Sequence, residues 1–263
     1  FSLNFHMSLE GTDLDKLALS TEKLLAGTDS EITTVGYYCN PIQYAEHRKT
    51  LENVICTAGK FGATHVSTFA GAWEGKPVES AYEEFGKVFR ELADLAEEKG
   101  VKLGIENCLM DGTWEHATCN IGFNPKAWEV MFEEVKNDNF GLEWEPTHQM
   151  VQLIDPVTEL RKWCKKIVHI HGKDATIDWD AVRHSGISGA VPFVWHRMPG
   201  FGDTNWRDII SILRSNGYED DICIEGYHDP VYSGELEMTG QLHALNYLKW
   251  CRGGDFTPTP WAK

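Results

Sequence analysis

Short apolar runs with strand character alternate with amphipathic helical patterns along most of this 263-residue chain. The runs lie at residues 32–38, 64–69, 101–106, 140–145, 167–171 and 222–225. Between them apolar residues recur at three- and four-residue steps, as at Tyr82, Phe85, Phe89 and Leu92, which is the period of a helix with one buried face. Because strands separated by helices pair in parallel through right-handed crossovers, the alternation predicts an α/β fold.

The length of the chain favours a closed (β/α)8 TIM barrel. Such barrels often occupy about 250 residues as one domain, so we predict a single domain over residues 1–263. Six strands are two short of eight. Residues 2–9 are a candidate seventh strand before a helix over 14–25, and we expect the first strand of the barrel upstream of Phe1 or missing from this chain. The alternative is a doubly wound open sheet, which normally carries a glycine-rich phosphate turn that this sequence lacks.

Charge and cysteine content exclude several classes of function. Asp and Glu total 40 against 24 for Lys and Arg, and the net charge of −16 opposes binding to a nucleic-acid backbone. The seven cysteines are scattered and form no C-x-x-C pair, which argues against a disulfide scaffold or a zinc ribbon. No apolar run reaches the length of about 18 residues that a membrane span needs. We therefore expect a protein of the reducing cytoplasm that binds neither nucleic acid nor membrane.

Four potential metal ligands stand near the ends of four of the predicted strands: Glu106, Glu145, His171 and Glu225. In a β/α barrel the carboxyl ends of the strands open onto one face, where catalytic groups lie. Three carboxylates and one imidazole suit a divalent cation such as Mn²⁺, Mg²⁺ or Co²⁺ better than a structural zinc. A single Glu at a strand end is more often a loop-facing charge, so the prediction of a metal site depends on all four residues together.

The residues two positions before these ligands would also face inward, because side chains alternate along a strand. They are Gly104, Glu143, His169 and Cys223. Since a lone buried carboxylate is costly, we predict a hydrogen bond between Glu143 and His169 that orients the ligands above it. The alternative is that Glu143 faces a helix or solvent and that His169 is an ordinary core residue.

Several short motifs give the chain a resemblance to a known family. They are GYYCNP at 36–41, GIEN at 104–107, E-P-x-H at 145–148, H-x-K-D at 171–174, R-x-P-G-x-G at 197–202, and IEG with HDP at 224–230. Each motif is weak alone, but their order and spacing are specific. From about Gly36 onward the chain resembles the sugar phosphate isomerase/epimerase family with the xylose-isomerase-like TIM barrel. This family includes ketose 3-epimerases, hydroxypyruvate isomerases, inosose dehydratases and C-glycoside deglycosidase catalytic subunits.

The resemblance implies that Glu106, Glu145, His171 and Glu225 bind one divalent cation. Mn²⁺ is the first choice, and Mg²⁺, Co²⁺ and Zn²⁺ are alternatives. In this family the position of Glu145 is usually Asp, so the longer side chain here affects the position or coordination mode of the metal.

The resemblance also implies roles in catalysis and substrate binding. Glu106 and Glu225 would carry protons as well as hold the metal, and His148, in a loop three residues after Glu145, would be a further catalytic residue near the substrate. The candidate substrate-binding residues are Arg197, Trp114, Lys173 and His169. Arg197 would stand on a long loop over residues 176–203, and Lys173 has the alternative of pairing with Asp174.

The leading functional interpretation is an isomerase or epimerase that abstracts a proton from a sugar or keto-sugar through a metal-bound enediolate. The alternative is a lyase that uses the same site, either a keto-inositol dehydratase or an enzyme that eliminates the aglycone of a 3-keto C-glycoside. Loop aromatics at Trp114, Phe193 and Trp195 would suit an aromatic aglycone.

Two further classes share features with this chain. The endonuclease IV repair enzymes share the barrel but need a basic groove, and a metal-dependent sugar-binding subunit would need no catalysis. As partners we expect a small-molecule carbohydrate and a second copy of the chain in a homo-oligomer. A C-glycoside lyase would add a small β-rich partner subunit.

Overall fold

The computed structural model describes residues 1–5, 7–9, 11–254 and 257–260. The chain divides into two compact units. The first comprises Phe1–His148 and Lys166–Ile170, and the second comprises Gln149–Lys165 and His171–Lys263. The predicted organisation as a single domain stays a prediction. None of the helices in the described ranges combines the length and the apolar composition that a membrane crossing requires.

The first unit contains a parallel sheet whose strands follow each other in chain order. Its strands are β1 (Thr34–Gly36), β2 (His65–Thr68), β3 (Lys102–Glu106), β4 (Phe140–Trp144) and the first part of β5 (Ile167–Gly172). The helices are α1 (Leu14–Leu25), α2 (Ala45–Thr57), α3 (Tyr82–Glu98), α4 (Pro125–Glu134) and the start of α5 (Pro146–Met150). Val35 pairs with Val66, and Leu103 pairs with Phe140. The predicted alternation of parallel strands and helices is confirmed here.

Helix α3 packs the apolar stripe that its sequence predicted. Phe85, Phe89 and Leu92 are buried, and the Phe85 and Phe89 rings stack with centroids 4.6 Å apart. The Phe89 ring lies 6.0 Å from Phe140 of β4, so this stripe covers one face of the sheet. Burial of each such side chain stabilises the fold by about 1.5–3 kcal/mol.

The second unit contains the remaining helices and strands. They are α6 (Pro156–Trp163), the end of β5, β6 (Asp174–Ile177), α7 (Trp179–Ser185), β7 (Val194–Arg197), α8 (Trp206–Ser215), β8 (Ile222–Ile224) and α9 (Glu237–Arg252). β8 lies beside the end of β5, where the Glu225 backbone N–H donates to the Gly172 carbonyl at 3.1 Å.

The caps of α4 and α6 agree with the sequence pattern. The Asn124 side chain accepts from the Lys126 N–H, and the Asp155 side chain accepts from the N–H groups of Val157 and Thr158. Proline follows each cap in the first turn, where no partner for its missing N–H is needed.

The predicted strand over residues 2–9 is wrong in its extent. Among the described residues of this segment only Ser2 forms a bridge, in parallel with Gly36, and Leu3 donates its N–H to the Gly36 carbonyl at 2.7 Å. The chain then turns, because the Ser2 hydroxyl accepts a hydrogen bond from the Phe5 N–H at 3.2 Å. His6, within the predicted strand, lies outside the described residues.

The predicted long loop over residues 176–203 is replaced for much of its length by regular structure. β6 and β7 form an antiparallel hairpin in which Asp174 lies opposite Arg197, and α7 lies between the two strands. The alternation of strands and helices had predicted only parallel pairing. The hairpin was missed because its short strands carry mixed polar and apolar residues and meet only through contacts distant in sequence.

Cys223, which strand alternation predicted to face inward, is exposed. The hydrogen-bonded strand order is β1, β2, β3, β4, β5, β8, and within the described residues no strand follows β8. β8 is therefore an edge strand of this sheet.

Candidate functional site

Glu106 and Glu145 lie at the carboxyl ends of β3 and β4 in the first unit. Glu106 is the last residue of β3, and Glu145 follows the last residue of β4. Both side chains are buried. The imidazole Nε2 of His148 lies 3.2 Å from Glu145 Oε1. The structure therefore brings together two of the predicted site residues here, Glu145 and His148.

His148 stands in the short helix α5 and not in a loop, which corrects the prediction. Pro146 begins this helix, and proline at the first position is preorganised for helical geometry. The helical step of three residues turns His148 back towards Glu145.

Two buried asparagines hold the backbone at these strand ends. The Asn107 side chain donates to the Glu145 carbonyl at 2.9 Å and accepts from the Glu145 N–H at 2.7 Å. The Asn120 amide donates to the Glu106 carbonyl at 2.9 Å and to the Cys108 carbonyl at 2.8 Å. Neither asparagine was among the predicted site residues, although Asn107 directly follows a candidate ligand in the GIEN motif.

Glu143 and His169 form the hydrogen bond that strand alternation predicted. They pair across β4 and β5, and Glu143 Oε1 lies 2.7 Å from His169 Nδ1. The Tyr38 hydroxyl donates to the other carboxylate oxygen of Glu143 at 2.9 Å. His169 is buried, and its role in substrate binding stays a prediction.

Two glycines make room for this buried polar group. A Cβ at Gly36 would stand 2.6 Å from the Tyr38 ring, and a Cβ at Gly104 would stand 3.2 Å from Val168 and 3.4 Å from the Glu143 Cβ. A side chain at Gly36 would therefore displace the Tyr38 ring, and one at Gly104 would crowd Val168 and the base of the Glu143 side chain.

In the second unit, Glu225 is the centre of a group of three predicted site residues. His171 Nδ1 lies 3.2 Å from Glu225 Oε2, and the Lys173 ammonium donates to Glu225 Oε1 at 2.9 Å. Lys173 is buried, and it pairs with Glu225 instead of Asp174, the alternative raised from the sequence.

Arg197, at the end of β7, is held by a buried carboxylate. Its Nε lies 3.4 Å from Asp229 Oδ2, and its guanidinium lies 5.8 Å from the centroid of the Phe201 ring. Asp229 Oδ2 also accepts from the Met198 N–H at 2.7 Å. Asp229 belongs to the HDP motif, but it was not among the site residues predicted from the sequence.

Asp174 anchors the segment that follows β7. Its carboxylate accepts from the N–H groups of Ala175 at 2.8 Å, Gly200 at 3.2 Å and Thr204 at 2.9 Å. Burial raises the pKa of Asp174, and these hydrogen bonds act in the opposite direction. A Cβ at Gly202 would overlap the Asp174 carboxylate, so only glycine fits at that position.

Trp114 lies in the loop between β3 and α4 and is half-buried. Its indole N–H donates to the Glu79 carboxylate. Its role in substrate binding stays a prediction.

The donors of the second unit fit a divalent cation. Metal–ligand bonds of about 2.0–2.2 Å place neighbouring ligand atoms of one cation about 3 Å apart. The His171 and Glu225 atoms are separated by 3.2 Å. Carboxylate oxygen and imidazole nitrogen are also the donor types that Mn²⁺, Co²⁺ and Zn²⁺ accept.

Comparison with known proteins agrees with the predicted fold. Inosose dehydratase from Clostridium tetani is 26% identical over 182 residues, a match that covers 67% of this chain and 57% of that protein. The match thus spans little more than half the length of the relative. The crystal structure of D-psicose 3-epimerase in the presence of D-fructose has a TM-score of 0.68 at 16% identity. This match covers 93% of this chain and 86% of the epimerase chain. The crystal structure of the IolI protein with a binding zinc atom has a TM-score of 0.63 at 21% identity. This match covers 92% of this chain and 81% of the IolI chain.

The two solved structures have the fold in common with this chain. The family described as "Xylose isomerase-like TIM barrel" matches residues 2–249, which is most of the chain. This match confirms the fold class that the sequence predicted. The chain therefore belongs to the xylose isomerase-like TIM barrel family.

Proposed function

We propose that this chain is an enzyme that removes a proton from the carbon beside a carbonyl group of a sugar, keto-sugar or keto-inositol, with the help of a divalent cation. The observation that carries the proposal is the group around Glu225. There a carboxylate at a strand end lies 3.2 Å from the His171 imidazole and 2.9 Å from the Lys173 ammonium. Such a cluster of titratable side chains at the carboxyl end of parallel strands is the usual place for catalysis in this fold.

The cation would be held by Glu106, Glu145, His171 and Glu225. Together they would offer three carboxylates and one imidazole, a donor set that could hold a metal ion. The zinc in the structure of the IolI protein supports a divalent cation without identifying it. Mn²⁺ stays our first choice because most of the donors are oxygen atoms. When bound, the cation supplies a Lewis acid that polarises the substrate carbonyl and so acidifies the neighbouring C–H bond.

The residues of the chain would carry the proton transfers. A carboxylate within hydrogen-bond reach of the acidified C–H removes the proton as a general base, and Glu106 and Glu225 are our candidates for this step. Lys173 and Arg197 would donate to oxygens of the substrate. Asp229 holds the Arg197 guanidinium through Nε, which limits the orientations it can adopt. We propose that His148 assists proton transfer beside Glu145.

Removal of the proton leaves a carbanion beside the carbonyl group, and the next step of this carbanion distinguishes two functions. Return of a proton makes the enzyme an isomerase or epimerase, and the fold of D-psicose 3-epimerase is compatible with that outcome. Loss of a leaving group from the adjacent carbon makes it a lyase. The similarity to an inosose dehydratase favours this second candidate.

The experiment combines a metal analysis with a substrate screen in D₂O. Keto-sugars, inososes and 3-keto-glycosides are incubated with the protein, and the products are followed by NMR and mass spectrometry. Deuterium incorporation with an intact carbon skeleton identifies an isomerase or epimerase, and release of water or a phenol identifies a lyase. Absence of exchange and of turnover on every class, in a preparation with one bound cation per chain, would contradict the proposal and favour a binding protein.

A carbohydrate ligand and a homo-oligomer belong to the same proposal. If the enzyme is a C-glycoside lyase, we also propose a small β-rich partner subunit.

A further inference from the structure

Three buried asparagines connect neighbouring strand ends in the first unit. Asn40, after β1, donates to the Ala72 carbonyl and accepts from the Ala72 N–H, both at 3.0 Å. Asn107, after β3, makes the same pair of hydrogen bonds to Glu145, at 2.9 and 2.7 Å. In each case one side-chain amide forms hydrogen bonds with both the N–H and the carbonyl of a single residue that lies just beyond the next strand.

Asn120 connects the ends of β2 and β3, which lie between these two pairs of hydrogen bonds. Its Oδ1 accepts from the Ala70 N–H at 2.9 Å, just beyond β2, while its Nδ2 donates to the Glu106 carbonyl at 2.9 Å. All three asparagines are buried, with exposures of 2% for Asn40 and 0% for Asn107 and Asn120. A continuous series of side-chain hydrogen bonds therefore runs across the carboxyl ends of β1, β2, β3 and β4.

We propose that Asn107 and Asn120 are positioning residues that set the locations of the Glu145 and Glu106 carboxylates for a divalent cation. The inference rests on the proposed function, because the cation is the ligand to be positioned. The pairing of β4 with β5 ends at Trp144, and the two hydrogen bonds of Asn107 restrain the backbone of the next residue, Glu145. A metal site requires its ligands to be held within a fraction of an ångström, and groups that fix the ligands commonly change metal affinity by about 10–100-fold.

Asn40 provides a matched control within the same unit. It is similarly buried and makes the same pair of hydrogen bonds, but the residue that it holds is Ala72, which offers no ligand. The variants Asn107→Ala and Asn40→Ala each remove one amide from one strand end. If both asparagines have a purely structural role, the two changes should alter Mn²⁺ affinity equally. If Asn107 is a positioning residue, only Asn107→Ala should weaken Mn²⁺ binding.

The experiment measures Mn²⁺ affinity by titration calorimetry on the full chain, with the thermal midpoint as a second reading. We expect Asn107→Ala and Asn120→Ala to weaken Mn²⁺ binding by about 10-fold or more. We expect Asn40→Ala to change it by less than about 3-fold, although all three variants lower the thermal midpoint. If Asn107→Ala does not fold, the pair Asn107→Gln and Asn40→Gln keeps the amide and makes the same comparison.

Two results would overturn the inference, and they are distinguishable. Equal Mn²⁺ affinities of Asn107→Ala and Asn40→Ala, with binding lost in Glu145→Gln, would remove the positioning role and leave the proposed function standing. Absence of Mn²⁺ binding by the wild-type chain would overturn the proposed function and the positioning role together.

Discussion

Two buried aspartates in this chain accept several hydrogen bonds, and the balance between burial and these bonds sets the direction in which each pKa shifts. Burial raises the pKa of Asp229, but N–H groups of Tyr232, Met198 and Val231, together with Arg197, lower it more, and the net pKa lies below its ordinary value. Asp174 accepts comparable bonds, yet its burial dominates and its pKa is raised. The two aspartates therefore contribute to stability with opposite dependence on pH.

The variant Asp229→Asn should lower the free energy of unfolding by about 1–3 kcal/mol at pH 7, because an amide cannot accept from all of these donors. A carboxylate with a depressed pKa stabilises the fold above the unfolded pKa of about 3.9, and this contribution is lost as pH falls through the folded pKa. Urea unfolding should give a constant difference between wild type and variant from pH 7 to pH 5 that shrinks below about pH 4. A difference that grows on acidification would contradict this assignment.

The variant Glu225→Gln should abolish turnover and leave the fold intact. The amide has the size of the carboxylate but cannot take up a proton as a base or supply the negative charge beside His171 and Lys173. We expect kcat to fall by at least about 10²-fold, with an unchanged far-ultraviolet circular dichroism spectrum. The exposed Glu235 supplies the control variant Glu235→Gln. Near-normal turnover in Glu225→Gln would contradict the roles of Glu225 as metal ligand and proton carrier.

At the scale of elements, close contacts at glycines decide how the strands meet. β4 pairs with β5 from Leu142 to Trp144, with a register shift between Leu142 and Glu143 that brings Glu143 opposite His169. Just before the shift, a Cβ at Gly141 would overlap the carbonyl oxygen of Lys166. Gly141 therefore allows the approach of the backbones on which the Glu143–His169 hydrogen bond depends.

The variant Gly141→Ala should lower the free energy of unfolding by about 3 kcal/mol, because the backbone at Lys166 must move to admit the methyl group. Gly59 is the matched control, since nothing lies within 4 Å of its Cβ position. Gly59→Ala should be neutral or stabilising by up to about 1 kcal/mol. Urea unfolding of both variants tests the difference. Equal free energies of unfolding for Gly141→Ala and Gly59→Ala would show that the backbone of β5 shifts without loss of stability.

At the scale of the whole molecule, the excess of acidic residues makes a divalent cation a favourable ligand. The net charge is −16. Any ligand that binds only the folded chain stabilises it in proportion to the logarithm of its concentration. Cation binding can therefore be detected through stability, without knowledge of the substrate.

Removal of metal with a chelator should lower the thermal midpoint, and Mn²⁺ should restore it. At about 100 times the dissociation constant the stabilisation is ~2.7 kcal/mol, or about 5–10 °C for a chain of this size. The shift, measured by scanning calorimetry, should be greatly reduced in Glu225→Gln. A wild-type midpoint that is insensitive to both chelator and Mn²⁺ would contradict the proposed metal site.

The sequence by itself determined the elements and several local contacts. Helix α1 has the predicted bounds, Asn124 and Asp155 cap the predicted helices, and the alternation of β4 and β5 predicted the hydrogen bond between Glu143 and His169. These features follow from short-range periodicity and from the chemistry of caps, which a linear sequence displays directly.

Only the tertiary structure decided the contacts that hold the candidate site. Asn107 meets Glu145 across 38 positions, and Asp229 meets Met198 across 31. The β6–β7 hairpin and the pairing of Lys173 with Glu225 also join residues distant in sequence. A buried amide or carboxylate can bond to any backbone group that folding brings near it, so no periodic pattern in the sequence identifies its partner.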